Sequence, residues 1–270
     1  MDEGEDVIVV ACGGAARNAF GINSKNRNYW ELYRESLEEF AHPFHVVSEF
    51  FFTLPVDNLD TIRYEFRDKR IVVPFSILGG EHGIEAIKTV IACAREMGCK
   101  VVSVFGIPMR FESDRRDRAF AALPEVASLS DCTLVLDMAM MVETNMEFAV
   151  DRYWTAFLKM SDLIMKNAIK WVIEFMQGPF FTVFTERLYL FVPASDVIPL
   201  NAVKKAWKKI TANDSLSESS VILVASSVKS SEIEDICNEV VMESGIMPEV
   251  IRRDDSNDSK VLIFRAARSL

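Results

Sequence analysis

Paired cysteines are missing from this 270-residue chain: its five thiols, Cys12, Cys93, Cys99, Cys132 and Cys237, are scattered, odd in number and form no Cys-x-x-Cys pair. That pattern excludes a disulfide framework and points to reduced, mostly packed thiols. Long apolar runs are missing too, since none approaches the roughly 20 residues that cross a bilayer as a helix. Positive charge is in deficit, with a formal net charge of −10. A general nucleic-acid binder needs a basic surface, so that function class is excluded, although a local basic patch is not. Histidine is scarce; His42 and His45 lie either side of Pro43 with no third metal ligand nearby. The acidic stretch Asp254–Asp258 lacks the glycine and closing glutamate of a calcium loop and reads as a turn. Met1–Asp6 is acidic, the wrong charge for a secretory signal, so a cytoplasmic location is expected. No internal repeat or low-complexity tract interrupts the chain.

What is present is a strand, a glycine turn, a helix and a second strand within residues 71–106. Ile71–Ile77 is a short apolar run, β-branched at its start, and predicts a buried strand. Leu78–Gly83 breaks it with three glycines. From Ile84 to Met97 the apolar spacing is helical, with Ile84, Ile87, Ile91 and Ala94 on one face, and Gly98 stops it. Val101–Gly106 is the next buried strand. Such a βαβ unit carries its glycine turn where a strand's C-terminal end meets a helix N-terminus. Open α/β sheets bind ligands there, because free amides and the helix dipole favour an anion.

Around this unit the same alternation continues. Val7–Val10 predicts a first buried strand, followed by a second small-residue turn, Ala11–Asn18. That turn is a weak dinucleotide signal, without the acidic ribose partner at a later strand end, and it is not a Walker loop. Residues 29–40 and Asn58–Arg67 predict helices, His45–Leu54 and Thr133–Leu136 strands, and Phe111–Arg116 opens a further helix. Residues 151–176 predict a long helix, apolar on most sides, with one polar stripe at Lys159, Asp162, Lys166, Lys170 and Glu174. Beyond it, strands at Leu188–Val192, Val221–Ala225, Glu249–Arg253 and Val261–Arg265 alternate with helices at Leu200–Ile210 and Ser231–Ser244, the last two strands being joined as a hairpin. The expected fold class is therefore α/β: a mostly parallel, Rossmann-like nucleotide-binding sheet over residues 1–150, a long central helix over 151–178, and a small α+β domain over 179–270. Lys204, Lys205, Lys208 and Lys209 line one side of the 200–210 helix; a solvated face is the plain reading, and contact with anionic lipid or an acidic partner the alternative.

Several short stretches, in order and suitably spaced, resemble the tubulin/FtsZ family. Cys12–Ala19 is similar to that family's first phosphate turn, and Gly79–Ala86 to a degraded GGGTGTG signature loop. Ala94–Gly98 continues the likeness at the end of the same helix. Phe111-Glu112 with Arg116 resembles the family's F-E-G-x-x-R ribose turn, and Phe157 with Asp162 its guanine-facing pair on the central helix. The resemblance implies a guanine nucleotide, GTP or GDP, accompanied by Mg²⁺. It implies phosphate contacts from Gly13, Gly14, Ala15, Gly79, Gly80 and Gly83, with Glu81 and His82 as altered positions in that turn. Glu112 and Arg116 would address the ribose, and Asn18, Phe157 and Asp162 the base. Self-assembly into filaments, or co-assembly with a filament-forming homologue, would be the output.

The departures are specific. Glu81 replaces a signature glycine, His82 and Ile84 replace threonines, Glu85 replaces the last glycine, and Ser113 stands where the ribose turn has glycine. A carboxylate at Glu81 faces a phosphate tail unfavourably unless positive charge intervenes. The family's water-activating N-x-D-x-x-D segment has its nearest match in Thr182–Arg187, which keeps neither aspartate. Two other classes therefore stand beside a slow or inactive GTPase. One is a nucleotide-free interaction or regulatory module on the same fold. The other is a dinucleotide-dependent oxidoreductase, against which the missing acidic ribose partner and the lack of a catalytic dyad both count.

Overall fold

A computed structural model of the chain describes residues 7–13, 16, 59–141, 165, 168–169, 172, 184, 187–195, 199–210, 216–226, 228–253 and 260–267. The chain divides into two compact units, Met1–Thr182 and Val183–Leu270. The fold is α/β and Rossmann-like.

In the first unit four strands run parallel in the order β1 (Val7–Ala11), β2 (Ile71–Ile77), β3 (Lys100–Ile107) and β4 (Cys132–Asp137). Every residue of β1, β2 and β4 is buried, as is all of β3 after Lys100. Burial of successive residues, whose side chains point to opposite faces, requires cover on both faces of the sheet. The unbroken runs Val7–Val10, Val72-Val73 and Leu134–Leu136 satisfy that requirement at no polar cost. Helix α1 (Leu59–Phe66) packs on α2 (Glu81–Glu96), α2 and α3 (Ser113–Leu129) connect the strands and pack on them, and a single turn, α4 (Met138–Met141), follows β4. Of the long apolar segment 151–176 the described positions are Met165, Ala168, Ile169 and Val172, all helical and fully buried. They recur at i, i+3, i+4 and i+7, the stripe that one helix face presents to a core. Gly106 in β3 makes room for it: a side chain there would meet the Met165 sulfur at 3.0 Å.

One local expectation is corrected here. The helix after the glycine turn begins at Glu81 rather than Ile84, because Gly80, extended at φ −106° and ψ 130°, is its N-cap. Glu81-His82-Gly83 is thus the first helical turn. The expected helix 29–40 and strand 45–54, with His42 and His45, lie outside the described residues.

In the second unit the order is β5 (Leu188–Ser195), β8 (Lys260–Ala267), β6 (Leu216–Ser226) and β7 (Glu249–Arg253). β8 is antiparallel to both its neighbours, while β6 and β7 are parallel and joined through α6 (Ser230–Ser244). The expected hairpin between the last two strands is therefore wrong: β6 lies between them. Helix α5 (Pro199–Ile210) turns Ala202, Val203, Ala206 and Trp207 inward and leaves Lys204, Lys205 and Lys208 outward. Lys204 is engaged by Glu239 of α6 at 3.2 Å. Phe184 sits edge-on to Tyr189 and Phe264, with ring centroids 5.1 and 5.2 Å away.

Candidate functional site

The C-terminal ends of β1, β2, β3 and β4 lie along one edge, because the register pairs Ala11 with Phe75, Ile77 with Gly106 and Ile107 with Asp137. Both glycine turns leave from this edge. Cys12 extends the pairing by one bond, its amide donating to the Phe75 carbonyl at 2.8 Å. Burial pushes the Cys12 thiol well above its ordinary range, so it is a packing group and not a nucleophile.

Gly13 then takes a left-handed conformation, φ +91°, which residues with a side chain rarely adopt. A Cβ on Gly13 would stand 3.2 Å from Gly83 Cα and 3.5 Å from Ser76 Oγ. A Cβ on Gly83 would stand 3.2 Å from the same Ser76 Oγ. The first turn and the start of α2 therefore meet backbone to backbone above a buried serine. A side chain on either glycine would press on the other turn or on Ser76 and force it to shift.

The second turn is shaped from the other flank. Gly79 is also left-handed, φ +92°, and its missing side chain faces the Arg115 carbonyl of α3 so closely that any Cβ would collide with backbone. Gly80 is the opposite case, with no described atom within 4 Å of the position a Cβ would take. As N-cap it contributes no side-chain hydrogen bond, so the first amides of α2, which have no intrahelical partner, are also uncapped among the described residues. Free amides plus the positive end of the helix dipole make the space beside Gly80 favourable for an anion.

The turn after β3 is held by its own side chains. Glu112 accepts from the Met109 amide at 3.2 Å and from Arg115 Nη1. Arg116 forms a two-pronged pair with Asp137, at 2.7 and 2.6 Å, and its Nη1 also donates to the Pro108 carbonyl at 2.7 Å. Asp137 in turn accepts from the Ala139 amide at 2.9 Å, capping the short α4 turn. The pair is well enclosed, with side-chain exposures of 17% for Arg116 and 7% for Asp137. Its guanidinium face lies over the Phe120 ring at 4.9 Å. Arg116 therefore fastens the β3–α3 turn to the end of β4.

The structure thus brings Gly13, Gly79, Gly80 and Gly83 together, with Glu112 and Arg116 on the adjoining turn. The backbones of Glu81 and His82 form the first turn of α2. Gly14, Ala15, Asn18, Phe157 and Asp162 lie outside the described residues. Three participants were not singled out from sequence. Ser76 is hidden inside an apolar strand pattern, Asp137 pairs 21 positions away from Arg116, and Arg118 donates from Nε to the Gly79 carbonyl at 3.1 Å. A signal for Arg118 existed: it is three residues beyond Arg115, hence on the same helix face toward the glycine turn. Among the described residues no group of three His, Cys, Asp or Glu side chains could hold a metal ion. No described helix is long and apolar enough to cross a membrane.

Comparison with known proteins bears on the fold. No protein-family model matches the chain. The cell division protein FtsZ of Helicobacter pylori is 31% identical over 81 residues, which is 30% of this chain and only 21% of that protein. FtsZ of M. jannaschii, in an empty dimer, superposes with a TM-score of 0.69 at 16% identity, covering 96% of this chain and 87% of the other. CetZ of Methanosaeta thermophila gives 0.69 at 12% identity, covering 98% and 87%. A GTPγS-bound protofilament of CetZ2 from Haloferax volcanii gives 0.63 at 14% identity, covering 98% and 94%. The chain therefore has the fold of FtsZ and CetZ, and a stretch of 81 residues is related in sequence to FtsZ.

Proposed function

We propose that this chain binds a guanine nucleotide across the C-terminal ends of β1, β2 and β3, with its phosphates on the two glycine turns. One observation carries the reading: Gly13 and Gly83 meet over Ser76 while the adjacent Gly80 stays open. Two independent turns have each given up a side chain at the point of contact. A plain strand-to-helix turn requires one glycine; two turns converging on one open N-terminus suit a shared polyanion. Glu112 is the ribose contact in this reading, and Arg116 holds the turn that presents it. Asn18, Phe157 and Asp162 are the base contacts that the resemblance implies.

Mg²⁺ would travel with a triphosphate and be held by phosphate oxygens and water, which suits an ion that dehydrates reluctantly. No protein cluster among the described residues competes for that role. Turnover is slow in this reading. Aligned with the family's N-x-D-x-x-D segment, Phe184 and Arg187 stand where the two aspartates would be, and Phe184 packs against Tyr189 and Phe264. Positioning the attacking water is a large part of such catalysis, and an aromatic ring cannot do it. Assembly, alone or with a filament-forming homologue, is the output proposed.

Calorimetric titration with GTP, GDP, ATP and NAD tests the reading. Guanine nucleotides should bind, and Asp162→Ala should abolish the preference over ATP. Absence of any guanine nucleotide binding would favour a second reading, a nucleotide-free module on this fold. That reading draws on one feature: the Arg116 guanidinium is already engaged by Asp137 and Pro108.

A further inference from the structure

We infer that Arg118 is a positioning residue for the phosphate turn, one that fixes the direction of the Gly80 amide; this rests on the nucleotide-binding reading above. Arg118 lies on α3, outside both glycine turns, yet its Nε donates to the Gly79 carbonyl at 3.1 Å. A trans peptide is planar, so the carbonyl of Gly79 and the N–H of Gly80 point in opposite directions. Holding the carbonyl against α3 aims the Gly80 N–H away from α3. There it has no hydrogen-bond partner among the described residues. The Cβ side of the same residue is open as well, with no described atom within 4 Å of the position a Cβ would take.

The bond matters because of what flanks it. The Gly79–Gly80 peptide unit lies between two glycines, and no Cβ opposes its rotation on either side. A flip would turn the carbonyl, not the amide, toward the anion site and replace attraction with repulsion. The Arg115 carbonyl fixes Gly79 Cα by close packing but does not choose between the two peptide orientations. The guanidinium of Arg118 does, because it can only donate and so admits the carbonyl-inward state alone.

The decisive experiment is a set of variants titrated with GTP: wild type, Arg118→Ala, Gly80→Ala and the double variant. Gly80 sits at φ −106° with open space around it, so alanine is accepted there in the observed state. In the flipped state φ at residue 80 would turn positive, where alanine is disfavoured. Arg118→Ala should weaken GTP binding about tenfold or more, the loss expected for one charge-assisted hydrogen bond. Gly80→Ala puts a methyl group into the space proposed for the anion, so it sets its own baseline; against that baseline, adding Arg118→Ala should cost much less than it does in the wild type, because alanine already disfavours the flipped state. A simple loss of charge near the phosphates would cost the same in both backgrounds. Wild-type affinity in Arg118→Ala, or strictly additive losses in the double variant, overturns the inference while leaving nucleotide binding intact. A wild-type protein that binds no guanine nucleotide overturns the underlying reading, and the inference with it.

Discussion

Replacing Asp137 by alanine removes the anchor of the β3–α3 turn, and its cost can be worked from the contacts. The carboxylate takes two bonds from Arg116, at 2.7 and 2.6 Å, and one from the Ala139 amide at 2.9 Å. An exposed ion pair would be worth at most about 1 kcal/mol. This pair is not exposed, with 17% and 7% of the two side chains accessible. Removing one partner of an enclosed pair leaves the other charge unpaired, which costs about 3–5 kcal/mol. Arg116 keeps the Pro108 carbonyl and the Phe120 ring, so the lower end, about 3 kcal/mol, is expected. Asp137→Asn keeps an acceptor for Ala139 and should cost about 1.5 kcal/mol. The double variant Arg116→Met, Asp137→Leu should lie within about 1 kcal/mol of wild type, because apolar replacement of both partners removes the desolvation penalty as well. Urea unfolding gives the answer: with a slope of about 1–3 kcal/mol per molar, Asp137→Ala should lower the midpoint by roughly 1 M or more. An alanine variant within about 1 kcal/mol of wild type, or a double variant as unstable as the single, would refute the enclosure argument.

Other outcomes follow from the same geometry. Gly79→Ala should destabilise the first unit more than Gly80→Ala, since one Cβ meets the Arg115 backbone and the other meets nothing; equal midpoints in urea would contradict this. Gly83→Ala should weaken GTP binding by disturbing Gly13 and Ser76, with little change in far-ultraviolet circular dichroism; unchanged affinity would detach that contact from the site. Magnesium-dependent GTP turnover by the isolated chain should be barely measurable, and brisk hydrolysis would overturn the assignment of Phe184 and Arg187 to the water-activating positions. Burial raises the Cys12 and Cys132 thiols above the ordinary value of 9.0, so the unfolded state loses those protons first as the pH climbs. Their contribution to stability is complete below pH 9 and falls above it, and a Cys12→Ala, Cys132→Ala variant should show a flatter decline.

The parallel sheet was legible because strands buried on both faces must be continuously apolar, and Val7–Val10 and Ile71–Val73 are. The glycine turns were legible for a related reason: clustered glycines between a strand and a helical pattern have few other uses. What sequence could not supply was pairing at a distance. Nothing local announces that Asp137 meets Arg116, or that β8 inserts between β5 and β6 and so forbids a hairpin with β7. The Asp-rich run 254–259 has the composition of a tight turn, and composition does not distinguish a turn from a crossing connection. The helix start was misjudged by three residues because Glu81 and His82 are polar and add nothing to apolar periodicity. Only the backbone of Gly80 marks where the helix begins.

Identifying the small molecule released when the purified protein is denatured tests the central claim most directly. Two turns that meet through Gly13 and Gly83 over Ser76, at an open helix start, predict stoichiometric GTP or GDP in the supernatant. A protein that releases nothing and also fails to take up added guanine nucleotide, or one that releases an adenine dinucleotide, would contradict the account.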